Sequence, residues 1–482
     1  MEIRDLEPKS LWGNFADLNA VPRASKKEEK VIEFIISFGQ ALGLETRRDE
    51  IGNVVIKKPA SPGMEAHQTV VLQSHLDMVH QKNNDTSFDF TTQGIDMFAE
   101  GDWVKARGTT LGADNGIGVA AIMSILASKD IVHPPLEALF TIDEETGMTG
   151  AMKLKPEMVK GRILLNLDTE DDQELSIGCA GGLDSTTEYS YKGVSPHENG
   201  RALTVKIKGL TGGHSGMDID KGRANANKLM NRLLYKAAGI FSIQLASLDG
   251  GSLRNAIPRE STALVVIRAE ELDQFKKFLA ECRSVIKTEY QVTDPNLLVE
   301  CDEAELPASV MGEEDFRKVL NAIYAVPNGV FRMSPDIEGL VEASSNLARV
   351  VVKDGVFSTQ SLQRSSVEST KEDVATAVKA AFENIGAQVE QSGDYPGWKP
   401  NPSSPVLHLM EALYKQTFGH EPEVKACHAG LECGILGGHF PGMDMISFGP
   451  TIIGAHSPEE RVQISSVQKF WGYLLNVLRE IP

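Results

Sequence analysis

Cysteine is scarce in this chain. Five are present among 482 residues, Cys179, Cys282, Cys301, Cys427 and Cys433, and none forms a Cys-x-x-Cys pair. An odd, scattered set argues against a disulfide framework and points to reduced thiols in a cytoplasmic setting. Long apolar runs are absent as well, and none approaches the roughly 18 to 20 residues that a membrane-spanning helix needs. The opening Met-Glu-Ile-Arg-Asp has no basic stretch leading into an apolar core, so no signal peptide is expected. Positive charge is in deficit: 48 Lys and Arg stand against 67 Asp and Glu, a formal net charge of −19. That balance argues against nucleic acid or an anionic membrane as a partner and suits a protein that holds divalent cations.

What is present is globular: 41% hydrophobic and 24% charged residues with no long biased tract. The length exceeds one ordinary core and predicts two or three domains. Residues 25–44 place Val31, Ile32, Ile35, Phe38 and Leu42 on one helical face, with Ser25 as the expected N-cap and Glu28 three residues on. Residues 53–57, 69–73, 136–142 and 162–167 read as strands, and 83–103 as a polar loop. A helix is expected to open at the Gly112-Ala113-Asp114-Asn115-Gly116 turn, and a short one over 147–154. Alternating strands and helices predict an α/β fold, a doubly wound, mainly parallel sheet.

Beyond Cys179 the texture changes to half-buried alternating strands and amphipathic helices. Two blocks of similar make-up, about 183–300 and 301–396, predict a two-lobed α+β lid domain inserted into the first. After Pro396-Gly397-Trp398-Lys399-Pro400 the α/β texture returns, with a strand over 445–448 and a helix over 465–478. The expected division is therefore 1–182, an insertion at 183–396, and 397–482 as the second part of a discontinuous catalytic domain.

Five places carry His, Asp or Glu just after a strand or at a Gly-rich turn: His75 with Asp77, Asp114, Glu144 with Glu145, Asp168, and His456. Any one of them could be an ordinary cap or loop residue. Parallel strands, however, bring their carboxyl ends to one rim, where open α/β sheets bind ligands. Oxygen and imidazole donors suit Zn²⁺, Mn²⁺ or Co²⁺. Two such ions about 3.5–4 Å apart need a bridging carboxylate, and the Gly-flanked Asp114 fits that need. Asp77, two residues beyond His75, is placed to orient its imidazole. Adjacent side chains of an extended strand point to opposite sides, so Glu144 and Glu145 cannot share one task. One is left over as a general base.

Together, His75-Leu-Asp77, Gly112-Ala-Asp114-Asn-Gly, Glu144-Glu145-Thr-Gly, Asp168 and Gly454-Ala-His456 resemble the co-catalytic zinc aminopeptidase and carboxypeptidase clan. Gly212-Gly-His214-Ser-Gly, Arg254-Asn255-Ala-Ile-Pro258 and Cys427-His-Ala-Gly430-Leu-Glu432-Cys433 narrow the resemblance to its dipeptidases, nearly end to end. The resemblance implies two Zn²⁺, with Co²⁺ or Mn²⁺ as substitutes. His75, Asp114 and Asp168 would hold one, and Asp114, Glu145 and His456 the other. It implies Asp77 as the orienting group and Glu144 as the base that passes the water's proton to the leaving amine. It implies His214 as the oxyanion donor, Arg364 as the clamp on the substrate's carboxylate, and Asn255, Gly430 and Glu432 as pocket residues. The implied substrates are dipeptides, including Xaa-His types such as carnosine.

A two-lobed insertion could supply His214 within the same chain, and the sequence is compatible with a homodimer without requiring one. Three other readings stay open: a clan hydrolase of tripeptides or N-acyl amino acids, a metal-binding protein without catalysis, and a cysteine hydrolase using Cys427 or Cys433 beside His428.

Overall fold

The structure, a computed structural model, describes residues 2–482; Met1, the first residue of the expected catalytic domain, lies outside them. The chain divides into two compact units. Among the described residues, one comprises 2–178, 398–426 and 431–482, the other 179–397 and 427–430.

The first unit is built on an eight-stranded sheet in the order Glu45–Arg48, Val54–Lys58, Leu136–Thr141, Val70–His75, Ile163–Asn166, Asp444–Ser447, Glu174–Cys179, Glu423–Cys427. Its four central strands, from Leu136–Thr141 to Asp444–Ser447, run parallel. They are buried almost throughout, as their unbroken apolar runs require. The expected parallel sheet is found at this centre. The flanking pairs of Val54–Lys58 with Leu136–Thr141 and with Glu45–Arg48 are antiparallel. Short flanking strands carry no mark of direction in their sequence.

Two local expectations change. The helix expected from Ser25 begins at Glu29 and ends at Ala41. Ser25 does not cap it, because its hydroxyl donates to Asp77 Oδ2 at 2.8 Å. The expected 83–103 loop contains the strand Met97–Glu100, which pairs with Trp103–Ala106. Arg461–Gln463 joins that hairpin and pairs in turn with Ile452–Ile453, making a small antiparallel sheet. Residues 454–460 are thereby a hairpin loop.

The second unit is a nine-stranded sheet whose path runs Leu298–Ala304, Gly200–Lys208, Ser261–Arg268, Gln244–Gly251, Val341–Lys353, Val356–Ser365, Gly181–Ser190, Gln388–Tyr395, with Gly329–Met333 beside Val341–Lys353. The two expected lobes are halves of this one sheet. Gly181–Ser190, from the first block, pairs with Val356–Ser365 and Gln388–Tyr395 of the second. A single core joins them through Leu203, Val265, Phe275, Phe316, Leu347, Phe357 and Phe382. Alternating burial identifies each strand, but not its partner across 170 residues of chain.

Candidate active site

Three parallel strands deliver the acidic and imidazole groups of the first unit to one rim. His75 is the last residue of Val70–His75, in register with Thr141 on the neighbouring strand. Glu144 and Glu145 follow that neighbour, and Asp168 follows Ile163–Asn166. Asp114 arrives at the start of the helical segment Ala113–Ala127, in a kink where Asp114 and Asn115 leave helical φ/ψ, just after Gly112 with its left-handed φ of 70°. His456 comes from the 454–460 loop.

His75, Asp114, Glu145, Asp168 and His456 converge. His75 Nε2 lies 3.1 Å from Asp114 Oδ1 and 3.3 Å from Asp168 Oδ1. His456 Nε2 lies 3.3 Å from Asp114 Oδ2 and 2.9 Å from Glu145 Oε2. Asp114 therefore turns one oxygen to each imidazole. His75, Asp114 and Glu145 alone offer three donor atoms within 4.8 Å of one another. On the far side of its ring, His75 Nδ1 faces the Asp77 carboxylate at 3.4 Å and its carbonyl at 3.2 Å. That arrangement protonates Nδ1 and turns the Nε2 lone pair toward Asp114 and Asp168. Asp77 also accepts from the backbone N–H of Glu144 and Glu145, at 3.0 and 3.3 Å, which ties the acidic turn to the same strand end.

The strand alternation expected at Glu144 and Glu145 is absent. Glu144–Gly147 is a single helical turn. Glu145 is directed to His456.

The electrostatics call for cations. Burial opposes charge on His75, yet Asp168, Asp114 and Asp77 raise its pKa well above the usual value. Hydrogen bonds to Asp114 and Glu145 lift His456 to about 11. Burial pushes Glu144 well up, His75 pulls against it, and Asp168 and Glu145 push it further. Glu145 Oε1 is buried without a hydrogen-bond partner. Two imidazoles among this many inward carboxylates leave buried negative charge, which is costly unless a cation offsets it. The donor set fits divalent metal ions: oxygens and imidazole nitrogens, with one carboxylate common to two groups.

Several residues that organise this rim escape sequence reasoning. Glu460 accepts from the backbone N–H of Leu111, Gly112, Ala113 and Asp114. In sequence it is indistinguishable from its exposed neighbour Glu459. Buried Arg23 donates to Leu76 O at 3.1 Å, to Asp77 O at 3.0 Å, and to Gly112 O. Asn115 donates to Leu167 O and Asp168 Oδ1. Glu432, expected in the pocket, is fully buried. Its Oε2 accepts from Gln73 Nε2 at 2.6 Å and Thr141 Oγ1 at 2.7 Å. Burial raises it to about 7 against the pull of His75.

The second unit holds the remaining expected residues. His214 lies on the short strand Gly213–His214, paired with Ala256–Ile257. Its Nδ1 accepts from the N–H of Gly216 and Met217 at 3.2 and 3.1 Å. The ring proton is therefore on Nε2. Burial and the Arg364 charge hold its pKa down at about 4, so it stays neutral near pH 7. Arg364, 5% exposed, donates through Nε to Ser215 Oγ and through Nη1 to Tyr395 Oη. Its Nη2 lies 3.5 Å from His214 Nε2. With a proton on each nitrogen, that pair is two donors side by side, an arrangement that suits an anion. Asn255 is exposed, and its carbonyl accepts from Ser215 N. Gly430 is half-buried, two residues after His428.

A family model, Peptidase family M20/M25/M40, matches residues 71–480. The chain belongs to this family. The M20 peptidase is 41% identical over 481 residues to the cytosol non-specific dipeptidase of Escherichia coli, covering 100% of this chain and 99% of that one. The crystal structure of the aminoacylhistidine dipeptidase from Vibrio alginolyticus is similar at 43% identity and a TM-score of 0.94, covering 100% of this chain and 98% of that one. The aminopeptidase PepT from Bacillus cereus shares the fold at 16% identity and a TM-score of 0.57, with 99% of each chain covered. The M20 fold is thus an α/β catalytic unit with an inserted lid, and this enzyme family depends on metal. Among the described residues no helix is long and apolar enough to cross a membrane.

Proposed function

We propose that the chain is a cytoplasmic metallo-dipeptidase that cleaves the peptide bond of dipeptides, Xaa-His types included, with two divalent ions, Zn²⁺ first among them. The observation that carries the reading is Asp114, whose Oδ1 faces His75 and whose Oδ2 faces His456. Full-length similarity to two dipeptidases supports the substrate class.

His75, Asp114 and Asp168 would hold one ion, and Asp114, Glu145 and His456 the other. When bound, such ions would supply Lewis acidity toward the scissile carbonyl and a water. Glu144 is the base. Its raised pKa falls back when cations are bound nearby, which leaves a carboxylate able to take a proton and return it. It accepts the proton as the water oxygen adds to the carbonyl carbon, and delivers it to the leaving nitrogen as the C–N bond breaks. Asp77 keeps His75 oriented. The family resemblance assigns His214 to the oxyanion and Arg364 to the substrate's carboxylate; within the second unit their neighbouring N–H groups offer an anion site. Asn255, Gly430 and Glu432 are assigned to the pocket.

The test uses metal-free protein re-supplied with Zn²⁺, Co²⁺ or Mn²⁺ and offered carnosine, other dipeptides, tripeptides and N-acyl amino acids. Dipeptide turnover restored by metal is expected, with kcat of Glu144→Gln about 10²- to 10⁴-fold lower at unchanged ion stoichiometry. Preference for tripeptides or acyl amino acids, or wild-type turnover by Glu144→Gln, overturns the reading.

A further inference from the structure

We infer that Glu460 is a positioning residue that holds His456 and Asp114 in register, so that it governs one ion of the pair and not the other. The inference rests on the two-ion reading above. The Glu460 carboxylate is 2% exposed and collects four successive backbone donors. Oε2 accepts from Leu111 N at 2.7 Å and Gly112 N at 2.9 Å, and Oε1 from Ala113 N at 2.7 Å and Asp114 N at 3.3 Å. Successive N–H groups converge on one anion only where the backbone curls into a nest, and the left-handed Gly112 provides the curl.

Glu460 stands four residues after His456 in the same hairpin loop. That loop is short and internally bonded, with Ser457 N donating to Gly454 O and Glu460 N to Ser457 O. Anchoring Glu460 therefore anchors His456 against the Asp114 turn. The bond joins the two segments that meet at the His456–Asp114 side of the centre. The other side has a separate tether: Asn115 Nδ2 reaches Leu167 O at 2.6 Å and Asp168 Oδ1 at 2.5 Å, fixing the Asp114 turn to Asp168. Arg23, donating to Leu76, Asp77 and Gly112 carbonyls, braces His75 against the same turn by hydrogen bonds that do not pass through the loop, although the Glu460 charge acts on it. Loss of Glu460 frees the loop while these two tethers remain.

Glu460→Gln keeps the shape but leaves one acceptor oxygen and turns an NH₂ toward backbone donors. Full-length metal-free protein, wild type and variant, is titrated with Co²⁺ and followed by visible absorption and calorimetry. The expected result is a first ion bound within about threefold of wild type and a second weakened about 10- to 100-fold, the range for groups that orient a ligand. His456→Ala is expected to give the same asymmetry. Equal weakening of both ions, or of neither, overturns the inference while leaving the two-ion reading intact. A single Co²⁺ in wild type overturns both. If circular dichroism shows Glu460→Gln unfolded, Glu460→Asp is titrated instead, and failure of both to fold overturns the selective role.

Discussion

His428 is buried with Nε2 2.7 Å from Ser344 Oγ. Burial draws its pKa down to about 3, and the charges of Arg364 and His214 add to that. The unfolded chain protonates this side chain near pH 6.5, so the proton favours unfolding throughout the interval between the two values. The stability tied to the neutral ring is complete above pH 6.5 and drains as pH falls toward 3, by up to about 1.4 kcal/mol per pH unit. Scanning calorimetry between pH 7 and 5 should show a shallower loss of melting temperature in His428→Gln than in wild type. At this scale the convergence of His75, Asp114, Glu145, Asp168 and His456 was legible because metal chemistry restricts residue types and strand ends restrict places. The supporting atoms were not. Glu460, Arg23 and Asn115 act through backbone groups, and any acid, base or amide in a loop has the same appearance in sequence until the backbone it meets is known.

The helix Ala113–Ala127 is buried nearly all round, which its run of Ile, Val, Ala and Met foretells. Its approach to the strand ends depends on Gly118. A Cβ there would stand 2.4 Å from Asn115 Oδ1, 2.5 Å from Ser74 Oγ and 2.8 Å from Leu167 O. Gly118→Ala is therefore expected to push the helix start away from the rim, destabilising the protein by about 1–3 kcal/mol. It should also weaken binding of the ion held through Asp168. Denaturant melts and Co²⁺ titration check both, and a fully stable variant with unchanged ion binding refutes the packing argument. The central strands and this helix were readable from periodicity. The Met97–Glu100 and Trp103–Ala106 hairpin was not, because its strands have four residues each and are sustained by pairing with Arg461–Gln463. Short strands owe their existence to partners that local sequence does not contain.

For the whole molecule, all five proposed ligand residues lie in the first unit and none in the second. Ions that bind only the folded first unit stabilise it by mass action, about 2.7 kcal/mol at a free concentration 100 times Kd. Calorimetry with and without chelator should show a transition that rises with added Zn²⁺ and a second that does not move. A common upward shift of both transitions would contradict the assignment of the ligands to one unit. The change of texture after Cys179 and its return near Trp398 marked the interruption of the chain. The single sheet within the second unit was hidden, since register between distant strands is written in neither.

The strand Asp444–Ser447 lies beside Ile163–Asn166 at the centre of the first sheet. During synthesis that slot stays vacant while the whole of residues 179–397 emerges, and the Ile163–Asn166 edge presents unpaired amides and carbonyls until the last segment leaves the ribosome. A stalled or prematurely terminated product thus exposes a sticky ribbon in the middle of its would-be core, the kind of edge on which neighbouring chains aggregate.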